Sequence, residues 1–164
     1  MNDILAVDIG NTSVFFAHFS GQRIKKSCRI ATHSLNINTL VMLKKKLFLQ
    51  DIRTAVIASV VPQATHLLQR EIGKKLGLKT YTIGKDFDAP IINRYKNPRQ
   101  VGVDRLVNAA AAFDRYHRDA IVIDFGTAIT FDIVSKKGEY LGGVIATGIE
   151  ITLEALNQKT ALLK

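Results

Sequence analysis

Two apolar runs end on an acid that is followed at once by glycine and threonine: "VDIGNTSVFF" at residues 7–16 and "IDFGTAITFD" at residues 123–132. An acid at the end of a strand can hold Mg²⁺, usually through water, because the ion takes oxygen ligands. Gly10 lets the backbone pass close to phosphate oxygens with the amide hydrogens of the turn directed at them. Asn11 and Thr12 add side-chain donors. The ordinary alternative is a pair of hairpin turns, since Gly-Asn is common hairpin chemistry. One copy alone carries little weight, but Asp124 follows Asp8 by 116 residues (124 − 8), about a domain length. Two such turns in the same strand context are expected to grip a triphosphate from both sides.

A third stretch, "NPRQVGVDRLVNA" at residues 97–109, puts Asp104 and Arg105 where a helix begins after a glycine-containing loop. Asp104 reads either as an N-terminal helix acid favoured by the macrodipole, or as a general base that takes a proton from an attacking hydroxyl. Other nucleotide sites are excluded by inspection. No G-x-x-x-x-G-K-[ST] occurs, and no two glycines stand two apart, so neither a P-loop nor a Rossmann fingerprint is present. The protein-kinase set and the serine nucleophile elbow are also missing. His18, His33, His66 and His117 share no ligand spacing, and Cys28, the single cysteine, reads as a packed thiol.

The elements that must position these residues follow from the apolar pattern. Strands are expected at Asp3–Ile9, Ser13–Phe19 and Arg23–Ile30, with Ser20-Gly21 turning between the last two, and a helix at 35–50. "RTAVIASVV" is a buried strand, Pro62 opens a helix that Gly77 stops, and "KTYTI" is a strand. Residues 84–103 read as a long loop, and "DRLVNAAAAFDRYH" as a helix with Leu106, Val107, Ala110, Ala111 and Phe113 on one side. The order βββαβαβα then restarts with "AIVIDFG", "AITFDIVS", "EYLGGVIA" and a helix from about residue 150. Domains are therefore expected at 1–118 and 119–164, the second copy incomplete, since nothing in it corresponds to residues 53–117. That leaves the strand holding Asp124 with an open edge, which favours dimerisation or poor solubility.

Composition sets outer bounds. The chain has 164 residues, 47% of them apolar and 23% charged, which suits a packed core and excludes wholesale disorder. No apolar run approaches the roughly 20 residues that span a bilayer, and the amino terminus lacks a secretory pattern, so a soluble cytoplasmic protein is expected. The net charge is +9, yet Lys44, Lys45 and Lys46 lie among Leu40, Leu43, Leu47 and Phe48 at helical spacing, as the wet face of an amphipathic helix. Nucleic-acid binding is disfavoured, because lysines and aromatics are not interleaved in a patch.

Taken together, "DIGNT", "PRQVGVDRLVNA", "DFGTAITFD" and "GEYLGGVI" resemble the type III pantothenate kinases over the whole chain. The resemblance implies an α/β fold of the acetate kinase, sugar kinase and actin superfamily, with ribonuclease H-like domains. It also implies phosphorylation of pantothenate in coenzyme A synthesis, with ATP, Mg²⁺ and a monovalent cation (K⁺ or ammonium), in a homodimer. Carried over by position, Asp8, Ile9, Gly10, Asn11, Thr12, Ser13, Val14 and Phe15 form the first phosphate loop, with Asp8 near Mg²⁺ through water and Thr127 on ATP. Gly102, Val103, Asp104 and Arg105 bind pantothenate together with Tyr95, Asp104 accepts the proton, and Asp124 binds the monovalent cation. Two departures stand out: Thr147 replaces the family proline in "GGVIATG", and a carboxy-terminal part with a substrate-contacting threonine has no counterpart here. Alternatives are a non-catalytic regulator resembling the Bvg accessory factor group, an inactive fragment, or another sugar or acyl kinase.

Overall fold

Period-two burial builds the first hairpin: β1 (Ile4–Ile9) buries Leu5, Val7 and Ile9, and β2 (Ser13–Ser20) buries Val14 and Phe16. The computed structural model describes residues 3–50 and 52–160. β3 (Arg23–Ala31) pairs with β2 after a turn in which Gly21 takes φ 58°. α1 (Ile37–Lys46) follows, its amino end capped by the Asn36 side chain, which accepts the Thr39 N–H at 3.0 Å. β4 (Thr54–Ser59), α2 (Pro62–Glu71) and β5 (Lys79–Thr82) complete the unit. The sheet order is β3-β2-β1-β4-β5, with β4 parallel to β1, so β1 is hydrogen-bonded along both edges. Leu40, Leu43 and Leu47 from α1 and its end, with Leu68 and Ile72 from α2 and its extension, fill the core against the strands.

Two helix expectations and one loop expectation need adjustment. α1 is shorter than 35–50: it stops at Lys46, and Phe48 turns out at φ 52° and is 55% exposed, with Lys26 Nζ 5.6 Å from its ring centroid. Phe48 therefore leaves the apolar face that Leu40, Leu43 and Leu47 form. α2 passes into a π-turn at Ile72–Leu76 before Gly77, at φ 68°, ends it. The stretch 84–103 is less a free loop than expected, because it holds β6 (Ile92–Asn93) and a 3₁₀ turn at Pro98–Gln100.

α3 (Val103–Tyr116) is followed by β7 (Ala120–Phe125), β8 (Ala128–Ser135), β9 (Glu139–Thr147) and α4 (Ile149–Lys159). The sheet order is β6-β9-β8-β7. Contacts divide the chain into two compact units, residues 1–89 and 90–164, so α3 packs with the strands that follow it. The reason lies in packing: Leu106, Ala109 and Phe113 of α3 join Val134 and Tyr140 in one cluster. Ala109 is buried where Ala111 was expected, and Ala111 is exposed. Among the described residues β7 pairs with β8 alone, and its Ile121, Ile123 and Phe125 are 66%, 47% and 71% exposed. This is the open edge foreseen for the Asp124 strand. No described helix is long and apolar enough to cross a membrane.

The two meanders carry the same irregularity. Between β2 and β3 the register shifts at His18/Phe19, passing over Lys25, and between β8 and β9 it shifts at Ile133/Val134, passing over Leu141. Leu141 follows Lys25 by 116 residues (141 − 25), the spacing of the two signature acids. Ile133 follows His18 by 115 (133 − 18), because the second glycine turn is one residue shorter than the first. A bulge is a specific backbone device, so its recurrence at equivalent positions marks a structural repeat.

One ion contact ties the start of β1 to its surroundings. His18 Nε2 lies 2.7 Å from Asp3 Oδ2, while Nδ1 lies 2.9 Å from the Leu47 carbonyl. The bond to His18, and secondly one to Ser20, holds the Asp3 carboxyl below its ordinary pKa. A carboxylate with a lowered folded pKa adds stability above its unfolded pKa and loses it as pH falls through the folded value. Asp3→Asn should therefore lower the urea midpoint near neutral pH, with the difference from the parent vanishing once the medium is more acid than the carboxylate range. An equal deficit at both ends of a pH series would rule this out.

Candidate active site

In the first unit, β1 ends one residue after Asp8, whose side chain is exposed at the sheet end opposite Phe15. The turn that follows is fixed by its own backbone. Gly10 N–H donates to the Ser13 carbonyl at 3.0 Å, and Thr32, at the end of β3, donates its N–H to the Thr12 carbonyl at 2.9 Å. The Thr32 hydroxyl adds a bond to the Gly10 carbonyl at 2.7 Å. Asn11 and Thr12 stand exposed, whereas Ile9 and Val14 are sealed in the core. Of the expected phosphate-loop residues, these last two can offer a ligand only backbone groups. Phe15 is half-buried under the Arg29 guanidinium, 5.5 Å from the ring centroid.

The second unit closes its turn in the same way. Gly126 N–H donates to the Ala128 carbonyl, and Gly148, at the end of β9, donates to the Thr127 carbonyl, both at 3.0 Å. Thr32 and Gly148 are again 116 residues apart (148 − 32). Glycine is required at 148 because a Cβ there would run into the carbonyls of Gly126 and Thr127. Thr147, which stands where the resemblance expects proline, is the last residue of β9, opposite Ala128, and its hydroxyl lies 2.9 Å from that of Thr152. A strand residue fits there without help from a fixed φ.

Asp124 lies exposed on β7, and its Oδ2 accepts the Asn108 Nδ2 amide at 3.1 Å. Asn108 is one helical turn after Asp104, on the same side of α3. The candidate base and the candidate cation ligand are thus joined to one helix face through an amide. Asp104 caps its own helix start, Oδ1 accepting the Arg105 N–H at 2.8 Å. Arg105 turns inward, its Nε donating to Asp132 Oδ1 at 2.8 Å. Tyr95 is anchored by its N–H on Asn93 Oδ1 at 3.0 Å, and its ring packs over Gly142, where a Cβ would come within 3.1 Å of it. A Cβ on the next residue, Gly143, would come within 2.6 Å of Arg105 Nη2. The paired glycines of β9 therefore make room for Tyr95 and Arg105, and these two expected substrate residues lie over adjacent backbone positions.

Asn108, Asp132, Tyr140, Gly142 and Gly143 escaped the sequence reading. The available signal was Asp132 itself, an acid in the middle of the apolar run "AITFDIVS".

Residues 4–164 match the sequence model of the family described as type III pantothenate kinase. The chain belongs to that family. The type III pantothenate kinase of Moorella thermoacetica is 42% identical over 168 residues, covering 98% of this chain and 66% of that protein. Its counterpart in Geobacter sulfurreducens is 39% identical over 168 residues with the same coverage. The chain spans just under two thirds of these relatives' length. Among solved structures, the ethanolamine utilization protein EutJ from Carboxydothermus hydrogenoformans aligns with a TM-score of 0.57 at 16% identity, over 97% of this chain and 58% of that one. The type II variant of the Aquifex aeolicus Ppx/GppA phosphatase gives 0.54 at 17% identity, over 95% and 56%. These likenesses show an α/β fold shared with those two structures.

Within this family frame, the donors at both turns suit a hard cation. Asp8 and Asp124 each offer an exposed carboxylate at a strand end. No cluster of three or more His, Cys, Asp or Glu gathers among the described residues. One or two carboxylates, completed by phosphate and water oxygens, are the usual Mg²⁺ arrangement.

Replacing Gly148 by alanine should force the second turn apart and cost about 1–3 kcal/mol through overpacking. Amide exchange at Gly126 and at position 148 should accelerate in the Gly148→Ala variant, while Gly10 and Thr32 keep their protection. Unchanged exchange at Gly126 would contradict the clamp.

Proposed function

We propose that this protein transfers the γ-phosphate of ATP to the hydroxyl of pantothenate, giving phosphopantothenate for coenzyme A synthesis. The observation that carries the reading is that Asn108, one helical turn after Asp104 on α3, donates to Asp124 at 3.1 Å. A base for the acceptor hydroxyl and a carboxylate for a cation are what phosphoryl transfer to an alcohol asks of a protein. The fold is read as two ribonuclease H-like domains at 1–118 and 119–164, the second shorter, in agreement with the shared bulge and the shared turn clamp.

Each residue has a task in this mechanism. The amides of Gly10 to Ser13, with Asn11 and Thr12, receive phosphate oxygens, and Thr127 adds a contact to ATP. Asp8 would hold Mg²⁺ through water, and Asp124 a monovalent cation such as K⁺ or ammonium. Those ions supply charge neutralisation for the phosphoryl group. Gly102, Val103, Arg105 and Tyr95 bind and orient pantothenate. Asp104 takes the proton from its hydroxyl as that oxygen attacks, and the acid's fixed place at the helix start makes the geometry reproducible. A homodimer accompanies this reading, and the exposed apolar side chains of β7 and α4 offer surface for it. A dilution-independent monomer in sedimentation would argue against that assembly.

With ATP, Mg²⁺ and K⁺ or ammonium, the chain should form phosphopantothenate. Asp104→Asn should cut turnover by about 10²–10⁴-fold while ATP affinity stays within error. Full turnover in that variant would remove Asp104 from the role of base.

A further inference from the structure

Asp132 sits on the face of β8 that also buries Val134, and it is wholly shielded from solvent. Both of its carboxylate oxygens are engaged. Oδ1 accepts Arg105 Nε and the Tyr140 hydroxyl, each at 2.8 Å, and lies 2.6 Å from Arg105 Nη2; Oδ2 accepts the Thr130 hydroxyl at 3.2 Å. So enclosed, Asp132 has no free oxygen for a metal or a substrate proton. Tyr140 is also fully buried, and the Arg105 guanidinium lies 5.9 Å from its ring centroid. Burial, and then the Asp132 carboxylate, raise the Tyr140 pKa far above its ordinary value, so the hydroxyl remains a donor.

Stability does not account for this arrangement. A buried ion pair roughly recovers the cost of desolvating its charges, and apolar side chains of the same volume often serve as well or better. The pair does, however, leave something unsatisfied. Arg105 Nη2 is buried and close to Asp132, yet its angle to Oδ1 makes no hydrogen bond, so its N–H donors have no acceptor. A buried donor without an acceptor is costly unless a ligand meets it. Gly143 lets the guanidinium lie against the strand backbone, since a Cβ there would run into the Phe131 carbonyl, Arg105 Nη2 and Asp132 Oδ1. Arg105 is thus pinned at Nε and packed against Gly143, directly after Asp104 in the chain, with 13% of its side chain left accessible.

We propose that Asp132 and Tyr140 are positioning residues: they lock the Arg105 guanidinium in one orientation, so that the N–H donors on its accessible side receive the carboxylate of the phosphoryl acceptor while Asp104 meets the hydroxyl. This rests on the reading of the Asp104–Arg105 stretch as the pantothenate site, and it adds the device that sets the acceptor's direction. Lysine could not replace Arg105, because an ammonium has a single nitrogen and cannot hold Asp132 and a ligand on separate, fixed donors.

The test compares the full chain with Asp132→Asn, Tyr140→Phe and Arg105→Lys, by initial rates and by heteronuclear NMR of the arginine Nε–H signals. Loss of a signal in Arg105→Lys assigns it to Arg105. Asp132→Asn should raise the KM for pantothenate about tenfold or more and move the ATP KM less than about twofold, because only the acceptor's orientation is lost. It should also shift the Arg105 signal toward that of a solvent-exchanging guanidinium, with Tyr140→Phe giving a smaller change of the same sign in both. An unmoved Arg105 signal in Asp132→Asn overturns the proposal. So does a parallel change in both KM values together with a lowered melting temperature, which would mark the pair as structural support alone. Should the parent bind pantothenate without turning it over, its calorimetric dissociation constant takes the place of KM and the same contrast decides. A parent that neither binds nor phosphorylates pantothenate refutes the kinase reading, and an Asp132-dependent Arg105 signal in that protein would reduce the pair to a structural ion pair.

Discussion

Everything at the two signature turns depends on how the chain closes its backbone at the end of a strand. A strand that ends in a sharp reversal leaves carbonyl and amide groups that must find partners. Both units answer with the same pair of bonds: a glycine N–H reaching across the turn, and a donor from the end of the third strand holding the threonine carbonyl. The second bond ties the turn to the far edge of its meander, so a turn that looks local is set by a residue some twenty positions later. That is why Thr32 and Gly148 matter to the acids at positions 8 and 124 although neither carries chemistry.

Charge is placed on two different principles. Asp8 and Asp124 stand exposed at sheet ends, where an ion can reach them and where their own desolvation costs little. Asp132 and Arg105 are paired inside, where their charges are fixed by contact. The first kind of acid meets solvent, while the second is held by its contacts. On β9, Gly142 and Gly143 let an aromatic ring and a guanidinium approach a strand backbone that any side chain would block.

Much of this was legible in the sequence because it was local or repeated. The acid-glycine-threonine turns, the strand alternation and the proline-started, glycine-stopped second helix all appear where the pattern put them. What escaped depended on distant partners or on phase. Asp132 finds Arg105 across 27 residues, and no periodicity links a strand acid to a helix arginine that far away. The run of four alanines at 109–112 leaves the helix phase open, so Ala111 was placed inward in place of Ala109. Phe48 continues the apolar period in the sequence, yet it is itself the left-handed residue just past the end of α1. The break before α3 was hidden for a related reason, as chain order assigns that helix to the first repeat while its apolar face packs on β8.

The unequal sheets have a consequence for mechanical stiffness. β1 is braced by a strand on either side, so the platform beneath Asp8 resists bending, whereas β7 has its described pairing on one side only. The same turn is therefore mounted once on a rigid beam and once on a cantilever. Backbone amplitude at the Asp124 end should exceed that at the Asp8 end even though the two turns are closed by matching hydrogen bonds. Preorganisation in this chain belongs to the first turn, and adaptation to the second.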